Sequence, residues 1–528
     1  MTNCLLLSPR FPEVSYWSFR EPCELLGARY PAAPLGLVTA AALLPPDWTI
    51  RLLDLNVREM DPAQLDWADI VMAGGMIPQQ RSLLALIDLC HAHGKRIAVG
   101  AQDPTSQPDI YAAADYLVLD EGELTIPRFL ADLAAGATSG IYRSEEKPDI
   151  TLSPTPRFDL LELQRYIYAG VQFSRGCPFN CEFCDIIELY GRRPRTKTSQ
   201  QLLRELECLY RLGYRGHVDF VDDNFIGNKK AVKAFLPELL TWSRQRGFPF
   251  LFSTEATINL ADDPTLLDMM EAVDFRYVFV GIETPDPRLL IRTQKKVNTR
   301  YSVAESVHSL NRRGMVVTAG FILGFDGETR QAADAIAACV EAAAIPMAMV
   351  GLLAALPNTQ LTRRLAREGR LPEAQFRLQP GDADQATSGL NFIPSRPRAE
   401  ILEDYAALLR QVYSPRRYFG RVLAVARLLV RHPKQVGSIR GRWTGLRALG
   451  ALVWRLGFDR QTAWYFWRTV LVVLLTQPGN FEATLHLMAF FLHFRTHTRI
   501  VLEGLERRLH EPEKKQDGQP CQGRVCLL

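Results

Sequence analysis

Long apolar runs are missing from this chain of 528 residues. No stretch reaches the roughly 18 consecutive apolar residues that a spanning helix needs. The amino terminus, Met1–Trp17, has no basic segment followed by an apolar core, so no secretory signal is expected. Cysteine is sparse, and its 10 thiols do not form a disulfide framework. A reducing cytoplasm is the expected compartment. Charge of one sign is not in excess: 62 Lys plus Arg against 58 Asp plus Glu leaves +4. That balance neither requires nor excludes a nucleic acid. A GxGxxG dinucleotide fingerprint is absent.

What is present is alternation. Strands are expected at Asn3–Ser8, Thr49–Leu55, Asp69–Ala73, Arg96–Val99 and Tyr116–Leu119, with helices after Pro34 and from Gln79 to Ala92. Strands alternating with helices pair in parallel and give a doubly wound, Rossmann-like α/β sheet, with ligands at the carboxyl ends of the strands. Those ends carry Gly74-Gly75-Met76, Gly100-Ala101-Gln102 and Asp120-Glu121-Gly122. Glycine there lets a ligand approach the backbone, although ordinary tight turns have the same composition. A polar, Pro-rich linker (141–162) separates this domain (1–140) from a second (163–395).

In the second domain, strands are expected at Gly170–Ser174, His217–Val221, Phe250–Thr254, Tyr277–Gly281, Val316–Leu323 and Met347–Ala354. Six βα repeats predict a partial TIM-like barrel, because a full one usually needs about 250 residues. Chemistry on such barrels collects at the carboxyl ends of the strands. Cysteines follow the first strand, Asp222-Asp223-Asn224 the second, Glu255 the third, Glu283 the fourth, Gly324-Phe325-Asp326 the fifth and Pro357-Asn358-Thr359 the sixth.

The cysteines are Cys177, Cys181 and Cys184, spaced C-x3-C-x2-C. Thiolates are the usual iron–sulfur ligands, and a four-iron cube ordinarily takes four. Three leave one iron open for chemistry. A redox pair would leave Cys177 without a role. A zinc Cys3His site lacks its histidine, since none lies within thirty residues.

This motif, with Phe183 before the third cysteine, resembles the radical S-adenosylmethionine superfamily over roughly Tyr166–Arg370. The resemblance implies a [4Fe–4S] cluster on the three cysteines, with the open iron chelating S-adenosylmethionine. An electron from an external donor would then release a 5′-deoxyadenosyl radical. It places Phe183 beside the cluster, Asp222 and Asp223 toward the methionine amino group, and Glu255 or Glu283 at the ribose. Gly324 and Asn358 fall in segments that resemble the adenine side. Pro34-Leu35-Gly36-Leu37 and Asp120-Glu121-Gly122-Glu123 resemble the cobalamin-binding domain ahead of many such cores. That implies cobalamin against Leu35, Gly36, Gly74, Gly75, Met76, Gly100, Gln102, Glu121 and Gly122. The D-x-H-x-x-G element is absent, so no histidine is expected on cobalt. Met76 or the Gln102–Thr105 turn would lie beneath it.

The whole arrangement is similar to the hopanoid C-2 methylase group. The implied activity is a cobalamin-dependent methyltransferase acting on an unactivated carbon of a small molecule or lipid, a hopanoid included. A cobalamin-linked radical cyclase or rearrangement enzyme would use the same residues. An RNA-modifying enzyme is disfavoured, because Cys4, Cys23 and Cys90 are too scattered for the second cysteine group of methylthiolating relatives. A cofactor sensor without turnover would show no S-adenosylmethionine cleavage.

Residues 396–510 read as a helical, basic domain and 511–528 as a disordered polar tail. From Arg410 to Arg468 there are thirteen Lys or Arg and one acid, Asp459, along with Trp443, Trp454, Trp464 and Trp467. Three readings stay open: a surface that meets anionic lipid, a nucleic-acid surface, or a helical cap with a solvated cationic face. Val470–Leu475 and Leu485–Leu492 are too short to span, so peripheral contact with the inner membrane face is the most a membrane reading allows.

Overall fold

The structure is a computed structural model that describes residues 2–13, 15–371, 389–430 and 439–510, with side chains except at 439–444 and 508–510. The tail expected over 511–528 and the Trp443 side chain lie outside the described residues.

Fifteen strands are named in chain order. They are β1 Asn3–Ser8, β2 Tyr30–Ala32, β3 Thr49–Asp54, β4 Ile70–Gly74, β5 Ile97–Gly100, β6 Tyr116–Val118, β7 Gly140–Tyr142, β8 Tyr166–Val171, β9 Ser174–Arg175, β10 Arg195–Thr196, β11 Gly216–Phe220, β12 Phe250–Glu255, β13 Phe275–Glu283, β14 Val316–Leu323 and β15 Met347–Leu352. The first sheet runs β3-β1-β4-β5-β6-β7, every pair parallel. Cys4, Leu5, Leu6 and Leu7 are all buried, as a central strand covered on both faces requires. The strand order turns between β1 and β4, and such a switch point opens a crevice at the carboxyl ends. Ser8 and Gly74 stand there.

The second sheet runs β2-β8-β11-β12-β13-β14-β15. All its pairs are parallel, so it is an open half-barrel with helices outside. Its edge strand β2 comes from the amino-terminal segment, which sequence reading left without a strand. Tyr30 pairs with Tyr166 and Ala32 with Tyr168. β7, Gly140–Tyr142, likewise crosses the boundary expected at 140/141 into the stretch that reads as linker, and extends the first sheet.

The first barrel strand needs correction. It is Tyr166–Val171, not Gly170–Ser174. The buried Asp222 carboxylate accepts from the backbone N–H of Phe173 at 2.9 Å and from that of Ser174. It also accepts from the Ser174 hydroxyl at 2.5 Å. Those amides are therefore withdrawn from the ladder. The chain turns into a short antiparallel ribbon, β9 with β10.

The carboxyl-terminal region is helical, with helices Arg398–Val412, Pro415–Leu428, Ile439–Leu452, Ala463–Thr476 and Phe481–His510. The first covers the β15 edge. Tyr413 donates to the Ala348 carbonyl at 2.5 Å and Tyr405 to that of Val350 at 2.9 Å. Tyrosine hydroxyls thus satisfy carbonyls of β15. The last helix grips the amino-terminal segment. Phe494 stacks on Tyr16 at 5.0 Å, and His493 lies 3.2 Å from Glu21.

Candidate functional site

Cys177, Cys181 and Cys184 lie on the loop between β9 and the short helix Ile186–Leu189. Gly176 makes that loop possible: its φ is +91°, and a side chain there would press on the Gly191 carbonyl at 2.8 Å. Cys181 is buried and the other two half-buried. Burial pushes all three thiols above their ordinary range, so they resist ionising alone. The Lys295 ammonium is the cation beside them and acts in the opposite direction. A cationic iron–sulfur group, which takes thiolates, fits this donor set. Among the described residues no three His, Cys, Asp or Glu side chains converge as on one metal ion. A cube, by contrast, takes each thiolate on a different iron.

Lys295 is fixed by Glu283, with Nζ 2.6 Å from Oε1, both side chains buried. Burial alone would lower the ammonium, but Glu283 and then the Cys181 thiol hold it charged. The Glu283 carboxylate thus has an internal partner. Phe183 packs on Phe325 with ring centroids 5.7 Å apart. Gly324 has φ +103° and donates its N–H to Glu328 at 2.7 Å. Asn358 has φ +62° and bonds the carbonyl of Ser106, which ends the short helix Gln102–Ser106 after β5, at 3.0 Å.

A cavity of about 1780 Å³ opens between the two sheets and continues into the barrel. Leu35, Gly36, Gly74, Gly75, Met76, Gly100, Gln102, Glu121 and Gly122 all line it, together with Asp222, Asp223 and Glu255. Phe183, Glu283, Gly324, Asn358 and the cysteines do not, although Asp185, Ile186, Leu189 and Tyr190 of the cysteine loop do. The space and the glycine-bearing strand ends fit a corrinoid. Not every glycine is there for that reason. A Cβ at Gly100 would strike the Val118 carbonyl oxygen, whereas one at Gly36 would meet nothing within 4 Å. Gly100 is glycine because of its neighbour; Gly36 faces open space.

The two adjacent aspartates do different work. Asp222 is spent on the backbone of the β8–β9 turn. Asp223 keeps a buried Oδ2 without a partner. Burial, and then the Asp222 charge, push Asp223 up to about 7. Glu255 faces the cavity, and desolvation followed by Asp219 push it up to about 8. Deeper in the barrel, His217 Nε2 lies 2.6 Å from the Ser253 hydroxyl, which in turn donates to Asp219. Burial pushes His217 down to about 3, so it is neutral.

Sequence reading missed the clamp between the sheets. Arg175, two residues before Cys177, bonds Glu121 at 2.8 Å and both oxygens of Glu123 at 2.9 Å. Arg195 bonds Glu121 at 2.7 and 3.1 Å. Gln102 donates to the Tyr190 hydroxyl at 3.2 Å. Glu121 therefore lines the cavity with its carboxylate already occupied. The cluster of acids at Glu121 and Glu123 was visible in sequence; its arginine partners, over fifty residues away, were not.

Comparison with known proteins agrees with this geometry. Residues 171–340 match the Radical SAM superfamily, and residues 359–507 match a domain of unknown function, DUF4070. An uncharacterised methyltransferase of Synechocystis sp. is 44% identical, covering 97% of this chain and 95% of that protein. Hopanoid C-2 methylase of Rhodopseudomonas palustris is 34% identical, covering 95% and 94%. The fold is that of the radical S-adenosylmethionine methyltransferase TsrM from Kitasatospora setae, solved with cobalamin and a [4Fe–4S] cluster. The TM-score is 0.58 at 16% identity, with 96% of this chain and all of that chain covered.

Proposed function

This chain belongs to the radical S-adenosylmethionine methyltransferases, in the group that includes hopanoid C-2 methylase, and on that premise we propose that it methylates an unactivated carbon of a hopanoid-like, ring-containing lipid with cobalamin as methyl carrier. The observation that carries the reading is the single cavity. It is lined both by the carboxyl ends of the first sheet and by barrel residues, Asp223 and Tyr190 among them.

When bound, the cluster with S-adenosylmethionine supplies a hydrogen-abstracting radical, and cobalamin supplies the methyl group. The chain's own residues hold and orient. Cys177, Cys181 and Cys184 hold the cluster. The open Asp223 oxygen is placed to accept from a cationic amino group. Leu35, Gly36, Gly74, Met76 and Gln102 would form the floor for the corrinoid. Phe19, Leu25, Leu449, Leu452, Leu485 and Phe490 make the opposite wall apolar. Such a wall suits a hydrocarbon substrate and excludes water from a reactive intermediate.

Anaerobic turnover with methyl-labelled S-adenosylmethionine and lipid extract tests this. Label in a methylated hopanoid is expected. 5′-Deoxyadenosine released with cobalamin bound, but no label in any product, would sink the methylase reading. Label in a non-lipid product would sink the substrate class.

A further inference from the structure

Helix Ala463–Thr476 carries an apolar stripe that no described part of the chain covers. Trp464, Trp467, Leu471, Leu474 and Leu475 recur at i, i+3, i+7, i+10 and i+11, which puts them on one face. All five are exposed, Trp464 by 73% and Leu475 by 75%. The opposite face is buried through Phe466, Thr469 and Val473. A second element extends the stripe. The π-helical turn Val453–Gly457 meets the helix where the Trp467 indole donates to the Gly457 carbonyl at 3.0 Å. From that turn project Trp454, 73% exposed, and Phe458, their rings 5.7 Å apart.

The charge around this patch has one sign. Arg447, Arg460 and Arg468 are exposed and make no ion pair with a described residue. The nearby acids are neutralised: Asp459 by Arg495 at 2.8 Å, and Glu24 by Arg455 at 3.1 Å. Exposed tryptophan and leucine flanked by unpaired arginine is the composition that seats in the headgroup layer of an anionic bilayer. No described helix is long and apolar enough to cross a membrane, so the contact is peripheral.

The patch also adjoins the cavity. Helix Ile439–Leu452, which leads directly into the Val453–Gly457 turn, contributes Gly445, Ala448, Leu449 and Leu452 to the cavity wall. The helix whose Leu449 and Leu452 line the cavity therefore runs on into the turn that carries the exposed Trp454.

The geometry points to a docking surface for an anionic lipid bilayer, formed by Trp454, Phe458, Trp464, Trp467, Leu471 and Leu475, from which an apolar substrate passes along Leu452 and Leu449 into the cavity. The delivery role rests on the lipid-substrate reading; the docking surface does not.

Flotation tests the surface independently of turnover. The reconstituted full chain is mixed with vesicles of phosphatidylcholine alone or with added phosphatidylglycerol and centrifuged through a density gradient. The chain is expected to float with the anionic vesicles and to remain below with the neutral ones, the binding weakening with salt. Trp464→Ser combined with Leu471→Ser and Leu475→Ser should stay below while unfolding at an unchanged temperature. Arg460→Gln and Arg468→Gln should each weaken binding about fivefold. A wild-type chain that never floats, or a triple variant that floats equally well, overturns the proposal. So does a dimer that disappears in the triple variant, or RNA binding lost in the arginine variants without flotation. Flotation without a labelled lipid would sink the methylation reading alone. Labelled lipid made in detergent by a chain that does not float would sink only the docking surface.

Discussion

Arg175 and Glu123 form a two-pronged ion pair, each guanidinium nitrogen 2.9 Å from one carboxylate oxygen, although Arg175 lies in β9 and Glu123 in the helix Gly122–Ala134 that follows β6. Burial alone would raise the Glu123 carboxyl, yet Arg175 holds it below its ordinary value. With side-chain exposures of 11% and 6%, the pair is shielded from water. Removing one partner of such a pair typically costs about 3–5 kcal/mol, because the other charge is stranded. Arg175→Ala should therefore lower the unfolding temperature and reduce iron bound per chain, since Arg175 lies two residues before Cys177. Arg175→Lys should recover only part of both, because an ammonium cannot span both oxygens. An Arg175→Ala chain with full stability and full iron content would refute the clamp.

Asp222 and Asp223 should separate in mutagenesis. Asp222→Asn loses charge-assisted bonds to two backbone amides, at about 1.5–3 kcal/mol each. Loss of stability and of cluster loading is expected. Asp223→Asn should not lower stability and should raise it slightly above pH 7, because it removes a buried, disfavoured charge whose Oδ2 has no partner. It should weaken S-adenosylmethionine binding by about ten- to hundredfold, one charge-assisted hydrogen bond. The pH dependence gives a second readout. Asp223 is held up at about 7, and only its ionised form accepts from an ammonium. Affinity should fall by about tenfold for each pH unit below that value. An Asp in its ordinary range would show no such loss above pH 5. Calorimetric titration of the wild type and Asp223→Asn between pH 5 and 8 checks this: a sloping profile for one and a flat one for the other.

The alternating apolar runs made the two parallel sheets legible, since β1 and β14 depend on local pattern alone and fall where periodicity puts them. The cysteine spacing was legible for the same reason, being local. β2 was not. Three residues, Tyr-Pro-Ala, carry no periodicity, and they form a strand only because β8 offers an unpaired edge. The end of β8 was misplaced because Asp222, 49 and 48 positions further on, bonds the amides of Phe173 and Ser174. Glu283 reads as a rim carboxylate, and nothing near it in sequence shows that Lys295 turns inward to meet it. Pairings of this kind depend on the closed fold, and residue type alone does not reveal them.

Lys295 and Glu283 give a third test. Both side chains are buried, 11% and 9% exposed, at 2.6 Å. Lys295→Met strands the carboxylate beside the cysteine loop and should cost about 3–5 kcal/mol. Glu283→Gln in the same chain removes the stranded charge and should restore much of that stability. The cluster itself should still report the missing cation. The double variant removes both charges, but Lys295 acts on all three thiols and Glu283 chiefly on Cys181, so the loss of the cation dominates and the midpoint potential of the cluster should fall although stability returns. A potential equal to the wild type would show that Lys295 serves only to neutralise Glu283.

Two of the glycines in the cavity wall, Gly36 and Gly100, should respond in opposite ways to a methyl group. Gly36 lies within helix Leu35–Ala41, with nothing within 4 Å of a Cβ. Alanine there relieves the entropic cost of glycine in a helix, so Gly36→Ala should stabilise the chain by up to about 1 kcal/mol. Gly100 closes β5, where a Cβ would drive into the Val118 carbonyl of β6. Gly100→Ala should therefore destabilise and loosen the β5–β6 pairing. A larger residue at Gly36 then separates stability from cofactor binding. Gly36→Phe projects a ring into the cavity without touching the core, so the unfolding temperature of the apo chain should hold. The corrinoid retained after gel filtration, read from its visible absorption, should drop sharply. Full corrinoid retention by Gly36→Phe would remove the floor formed by Leu35 and Gly36 from the cobalamin site.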